Sequence, residues 1–394
     1  MSVRRVLFVT HNFPRTTGDA AGGFLLDLAH ALATVDITVE VLAPHARGLP
    51  ERDIIDGIHV QRVRYGDDAD ETLAYTGTMA EQVKASTRGK RAMVRLIGAL
   101  RRGTRFRLAS GDIDVVHAHW WFPSALAVGR TATRARVPMV VTSHGSDARM
   151  ATGMTASLAS FALGRAAGVT TVSNWLAQRL RLLTAAPITV APMPSDVLKF
   201  TAQAATRATP PRLLFVGRLN TQKNPALLLH TLALLPETMH LDMVGDGPEA
   251  SMLHALGAQL GIAHRIAWHG HQPRDAMPAF YGRASCTVVP SRDEGFGMVA
   301  AESLLCETPV VANDSGGLPD IVRTGENGTL IRAGDDATAV WRSAILDIAA
   351  APERRAALGA TGRAQMSALV SPRAVAERYR DVYEAARRGI VRAR

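Results

Sequence analysis

The chain has 394 residues, 47% of them hydrophobic, which excludes a disordered or fibrous protein and favours two domains over one. The net charge of +10 is almost wholly arginine, with Lys only at 84, 90, 199 and 223, so it reads as compositional bias and not as evidence of a nucleic-acid partner. No stretch reaches the ~18 apolar residues of a membrane span, the run between Arg5 and His11 is too short for a signal-peptide core, and Cys286 and Cys306 sit in apolar segments; a cytoplasmic protein is expected.

Short β-branched runs alternate with Ala- and Leu-rich amphipathic segments from end to end, the pattern of βαβ units and a mostly parallel sheet. It occurs twice. Strands are predicted at 6–10, 38–43, 59–64, 114–118, 139–143, 169–172 and 188–191, then at 213–216, 240–244, 266–269, 286–289, 310–312 and 329–331. Prolines at 192, 194, 210 and 211 block helix and central strand, which sets a linker at 194–211 between a first domain, 1–193, and a second, 212–370. Ser371 before Pro372 opens a terminal helix over 371–394, expected to cross back to the first domain.

Ligands bind outside the carboxyl ends of strands in open α/β sheets, so the strand-to-helix loops carry the functional reading. In the first half, Asp68-Ala69-Asp70 has the spacing of a metal-binding carboxylate pair, but no apolar strand runs directly into it, and it reads as a solvated loop; no metal is expected. From Lys84 to Arg107 there is no acid. Arg88, Lys90, Arg91, Arg95, Arg101, Arg102 and Arg105 interleave there with Met93, Val94, Leu96, Ile97 and Leu100 at helical spacing, an amphipathic basic helix suited to an anionic membrane surface. His117, His119, Trp120 and Trp121 follow a strand and fit either an acceptor-side lining or strand-end packing.

The second half is more specific. After the strand at 213–216 comes Gly217-Arg218, then Lys223 and a helix expected to be capped by Asn224 with Pro225 at its first position; two cations beside unpaired amides make a diphosphate clamp. After the strand at 286–289, Glu294 stands in a turn with Gly295 and Gly297, and Glu302 falls just over one turn into the next helix, so both carboxylates can face one ligand while the amides from Phe296 through Met298 to Val299 face an anion.

These residues resemble glycosyltransferase family 4, a large group of retaining transferases of GT-B architecture. The likeness rests on the Glu294/Glu302 pair, GRLNTQKNP at 217–225, VGDGPE at 244–249 and PVVANDSGGLPDIV at 309–322, in the family's order. It implies an α/β fold of two Rossmann-like domains whose parallel sheets face each other across a donor-binding cleft. It implies that Arg218 and Lys223 bind the donor diphosphate, that Glu294 holds sugar hydroxyls, that Phe296 and Gly297 give backbone contacts near the sugar, that Glu302 binds the ribose, and that the nucleobase lies against the region after Gly245 and at Gly270 and His271. In the first half, Gly22 and Gly23 correspond to glycines set against diphosphate and acceptor, and His144 in TSHGSD to the histidine that meets the transferring sugar. PMPSDVLKF at 192–200 departs from the family's Asn-Gly-Val-Asp turn.

The expected activity is metal-independent, retaining transfer of a hexose from a nucleotide diphosphate sugar, UDP-sugar before GDP-sugar, to a hydroxyl of a lipid-linked or cell-surface glycan precursor. Arg218, Lys223, Glu294 and His144 would carry the chemistry, no cofactor is required, and residues 84–107 would bring the enzyme to the inner face of the plasma membrane. A sugar-nucleotide isomerase or epimerase would turn over without acceptor, and a silent sugar-nucleotide binder would not turn over at all.

Overall fold

The apolar run from Val6 to Val9 has no face to give to water, and it becomes a central strand of the first unit, β1 (Arg5–Val9). The computed structural model describes residues 2–19, 21–75, 79–201, 208, 210–332 and 337–392. Residues 202–207 and 209 of the expected linker and 393–394 of the expected terminal helix lie outside the described residues.

The first unit also holds β2 (Thr38–Pro44), β3 (Arg52–Ile55), β4 (Ile58–Val63), β5 (Val115–His119), β6 (Met139–Ser143), β7 (Gly168–Thr171) and β8 (Ile188–Val190). They form one sheet in the order β3-β4-β2-β1-β5-β6-β7-β8, parallel throughout except for the β3/β4 pair. β3 is absent from the sequence reading. Two of its four residues are charged, so it shows no apolar run, yet Asp56 and Gly57 (φ 46° and 83°) turn it straight into β4 as a two-residue hairpin.

This unit runs through Pro194 and takes the chain back from Pro372. The helix Pro372–Arg392 buries Val375, Ala376, Tyr379, Val382, Tyr383 and Ala386 on one stripe, against the helix Gly23–Ala33 and strands β6 and β7. Its polar anchors are specific: the Tyr383 hydroxyl meets His117 Nδ1 at 2.7 Å, and Arg387 pairs with Asp114 at 2.8 Å.

The second unit, Ser195–Ser371, is a parallel sheet of β9 (Arg212–Val216), β10 (His240–Val244), β11 (Ile266–Gly270), β12 (Cys286–Val289), β13 (Val310–Asp314) and β14 (Gly328–Arg332), ordered β11-β10-β9-β12-β13-β14. Leu213, Phe215, Leu241, Met243 and Val288 from its strands close a core with Leu228, Leu232, Trp341 and Ile345 from the covering helices. Chain order reverses between β9 and β12 here and between β1 and β5 in the first unit. Those are the two points where loops diverge and leave a crevice at the carboxyl edge.

Candidate active site

In the second unit, the loops after β9 and β12 flank the reversal and are tied across it: Lys223 Nζ donates to Glu294 Oε2 at 2.5 Å, and the Arg292 amide donates to the Gln222 carbonyl at 2.8 Å. The β13 loop braces Glu294 from the other side. Its Ser315 hydroxyl accepts from the Asp293 amide at 2.9 Å, and its Gly317 amide donates to the Glu294 carbonyl at 2.8 Å. A Cβ on Gly316 (φ 65°) would stand 2.2 Å from that carbonyl oxygen, so only glycine fits. The β10 turn is laced to the β9 loop through Leu219 to Asp246 and Glu249 to Leu219 backbone bonds, and the Gly245 amide donates to Gly270, so the VGDGPE and Gly270 segments gather with the GRLNTQKNP loop.

Arg218 is exposed beside this lattice and meets no carboxylate among the described residues. Asn224 does not cap the next helix as expected. It stands at the N-cap position in the left-handed conformation (φ 50°) and makes no side-chain cap bond, while the Asn220 side chain accepts from the Lys223 amide at 3.0 Å in the loop before it.

The helix Met298–Leu305 starts at Gly297 (φ 103°), and its first return bond is Ala300 to Gly297, which leaves the Met298 and Val299 amides ahead of the helical ladder, where they favour an anion. Phe296 is buried under this turn. Glu302 is 9% exposed, accepts from the Tyr281 hydroxyl at 3.1 Å and lies 3.6 Å from Arg274. Burial, and then Glu302, pushes the Tyr281 phenol far above its usual range, so Tyr281 stays a donor to this carboxylate. Tyr281 and Arg274 lie some twenty to thirty residues upstream of Glu302 with no motif of their own, so no local signal marks them as its partners.

In the first unit the loops after β1, β5 and β6 build an aromatic and imidazole cluster. The His11 and Trp120 rings lie tilted against each other with centroids 4.4 Å apart, Trp120 and His144 likewise at 4.4 Å, and Phe24 and His144 at 5.1 Å. His119 Nδ1 reaches His144 Nε2 at 3.2 Å, while His119 Nε2 and His11 Nδ1 are buried with no hydrogen-bond partner among the described residues. Burial holds His144 near a pKa of about 3, with a further push from His11, and His11 near about 4, so both rings are neutral at physiological pH.

Asp147 fixes the His144 loop. Its carboxylate accepts from the Ser143 hydroxyl at 2.8 Å and from the His144 and Gly145 amides at 3.2 Å, and from the Trp121 amide at 3.1 Å. Its pKa is raised by burial against those bonds. Gly22 (φ 74°) ends the β1 loop where a Cβ would stand 2.8 Å from the Asn12 carbonyl oxygen, and Gly23 begins the helix with open space beside it. His117 and Trp121 do not line this cluster's open side: His117 is spent on Tyr383 and Thr142, and Trp121 donates its indole N–H to the Asp147 carbonyl at 2.7 Å.

Residues 84–107 are two helices, not one. Lys84 lies in the last turn of Met79–Ala85, and Ser86 caps Thr87–Leu108 by accepting from the Gly89 amide. Arg88 and Arg95 both pair with Asp70, and Arg107 with Glu40 and Asp112, acids outside the 84–107 stretch that a count within it does not include. Lys90, Arg91, Arg101, Arg102 and Arg105 remain exposed beside Val94 and Phe106 (71% and 69% exposed). Among the described residues, His45, Asp68 and Glu71 come within metal-ligand reach of one another, but both ring nitrogens of His45 are hydrogen-bonded and Arg64 reaches both carboxylates. That guanidinium supplies the charge a cation would bring.

The model of Glycosyltransferase Family 4 matches residues 21–197, and that of glycosyl transferases group 1 matches residues 197–365. A D-inositol 3-phosphate glycosyltransferase of Thermobispora bispora is 31% identical over 93% of this chain and 90% of its own. The chain belongs to glycosyltransferase family 4. A second relative of that name, from Thermomonospora curvata, is 31% identical over 94% of this chain and 92% of its own. This family 4 enzyme shares the GT-B fold of sucrose-phosphate synthase from Thermosynechococcus elongatus (TM-score 0.78, 99% and 100% of the two chains, 21% identity). It also shares the fold of Anabaena HepE solved with UDP-glucose (TM-score 0.72, 97% and 99% of the chains, 17% identity). It is a glycosyltransferase.

Proposed function

We propose that the enzyme transfers a hexose, with retention, from a nucleotide diphosphate sugar to an acceptor hydroxyl without a catalytic metal. The observation that carries the donor half is the Lys223–Glu294 contact at the strand-order reversal, with Arg218 exposed beside it and the Met298 and Val299 amides at the next helix start. Arg218, Lys223 and these amides neutralise the departing diphosphate by preorganised electrostatics, Glu294 takes sugar hydroxyls and Glu302 the ribose. The sugar C1–O bond to phosphate breaks with its electron pair leaving on the diphosphate. The acceptor oxygen bonds C1 from the same face, and its proton passes to the departing phosphate oxygen. Neutral His144 suits a cation-like sugar, because an imidazolium there would repel it.

UDP-glucose in the HepE complex favours a UDP-sugar donor. The acceptor reading is a lipid-linked or cell-surface glycan precursor, supported by the exposed cations and apolar residues of Thr87–Leu108, which suit the anionic inner face of the plasma membrane. The relatives' name gives D-inositol 3-phosphate as the second acceptor to assay.

The test is a thermal-shift panel of UDP-, GDP- and ADP-sugars, with Glu302→Ala alongside, followed by product analysis with and without acceptor. One donor should raise the midpoint in the wild type and less in the variant, with nucleoside diphosphate released only when acceptor is present. Turnover of donor without acceptor would replace transfer with isomerisation.

A further inference from the structure

Three helices of the first unit lie side by side: Thr87–Leu108 packs on Leu126–Ala135, and Leu126–Ala135 on Met154–Leu163. The last of these buries only Ala159, Ala162 and Leu163. Its large side chains turn outward at i, i+4 and i+7, with Met154 94%, Leu158 40% and Phe161 44% exposed. Single exposed apolar residues are ordinary, but an aligned stripe of three is not.

Cations rim the stripe. The Arg165 guanidinium lies 3.7 Å and that of Arg130 5.7 Å from the Phe161 ring centroid, and Arg134 joins them around an open pocket. From Val115 to Ser195 the chain has one carboxylate, Asp147, and it is buried; an even spread of 35 acids over 394 residues would place about seven in that span. Arginine bias alone does not remove acids. Exposed apolar residues inside a positive, acid-free rim complement one kind of surface, an anionic bilayer, whose headgroup region offers phosphates above an acyl boundary.

We propose that the Met154–Leu163 helix is a second lipid contact, its Met154, Leu158 and Phe161 stripe entering the headgroup boundary while Arg130, Arg134 and Arg165 meet lipid phosphates. This extends the membrane part of the proposed function to a neighbouring helix, and its variants leave residues 84–107 untouched, so the two readings fail separately. It makes no use of the donor site.

The full chain is sedimented with phosphatidylcholine vesicles with and without phosphatidylglycerol. Replacing Met154, Leu158 and Phe161 together by Ser should weaken binding to anionic vesicles about tenfold or more and leave the melting midpoint in place. A parallel variant with Lys90, Arg91, Arg101, Arg102 and Arg105 replaced by Ser reports on the basic helix alone. Because Cys286 and Cys306 are buried, Met154→Cys can be labelled selectively with an environment-sensitive dye, whose emission should shift to the blue only with anionic vesicles. Wild-type binding by the apolar triple variant would overturn the proposal. So would dye emission that stays unmoved while the protein sediments with vesicles, or that shifts without lipid as protein concentration rises, which would assign the stripe to a second copy of the chain.

Discussion

Lys223 and Glu294, seventy-one residues apart in sequence, are joined by a 2.5 Å ion pair that bridges the loops after β9 and β12. Both side chains are mostly buried, so the pair sets the position of each charge before any ligand arrives. If the donor diphosphate and sugar take these groups over, Lys223→Met and Glu294→Gln should each lower kcat/KM by about 10²–10³-fold, the usual effect of removing one preorganised transition-state partner. Release of nucleoside diphosphate under saturating acceptor measures it, and near wild-type turnover in both variants would remove the pair from the mechanism.

Gly316→Ala tests the brace behind Glu294. The new Cβ would lie 2.2 Å from the Glu294 carbonyl oxygen, a contact only backbone movement can relieve. Donor affinity should fall at least tenfold (about 1.4 kcal/mol) with the second unit still folded by circular dichroism. Unchanged donor binding by calorimetry would show that the β13 loop does not set the position of Glu294.

The imidazole cluster makes the first unit acid-sensitive. His144 and His11 sit near about 3 and about 4, while their unfolded counterparts titrate near 6.5, so the unfolded chain binds more protons over that window. Stability is therefore fully present above pH ~6.5 and declines as pH falls towards ~4, each such histidine contributing up to about 1.4 kcal/mol per pH unit. His117 and His119, displaced the same way by burial, add to it. Urea midpoints that stay level from pH 7 to pH 4.5 would contradict this account.

The terminal helix should be indispensable to the first unit. Tyr383→Phe strips His117 Nδ1 of its partner inside the core and should cost about 1–3 kcal/mol. Ending the chain at Ser371 uncovers the surface beneath Val375, Tyr379 and Val382 and should leave the protein insoluble. A soluble truncated chain with an unchanged unfolding midpoint would refute the second expectation.

Much of this protein was readable because its decisive signals are local. Thirteen strands lie within two residues of their predicted spans, since a buried parallel strand is a short apolar run with no competing pattern. The loops bearing Arg218, Lys223 and Glu294, and the helix start that leads to Glu302, were legible for a related reason: glycine, charge and helix start are neighbours in sequence and therefore in space.

What the sequence alone determined, then, is two βαβ halves and which strand-end loops gather at the strand-order reversals. Tertiary structure decided the pairings. It drew Asp70 onto Arg88 and Arg95, set Tyr281 against Glu302, used Asp147 to hold the His144 loop, took His117 into the core under Tyr383, and turned the charged Arg52–Ile55 segment into an edge strand. The Asp70, Tyr281 and His117 pairings join separate stretches of chain, where no periodicity or spacing records the meeting; Asp147 and Arg52–Ile55 meet near neighbours, but there too only the folded backbone sets the distance and the dielectric that give the contact effect.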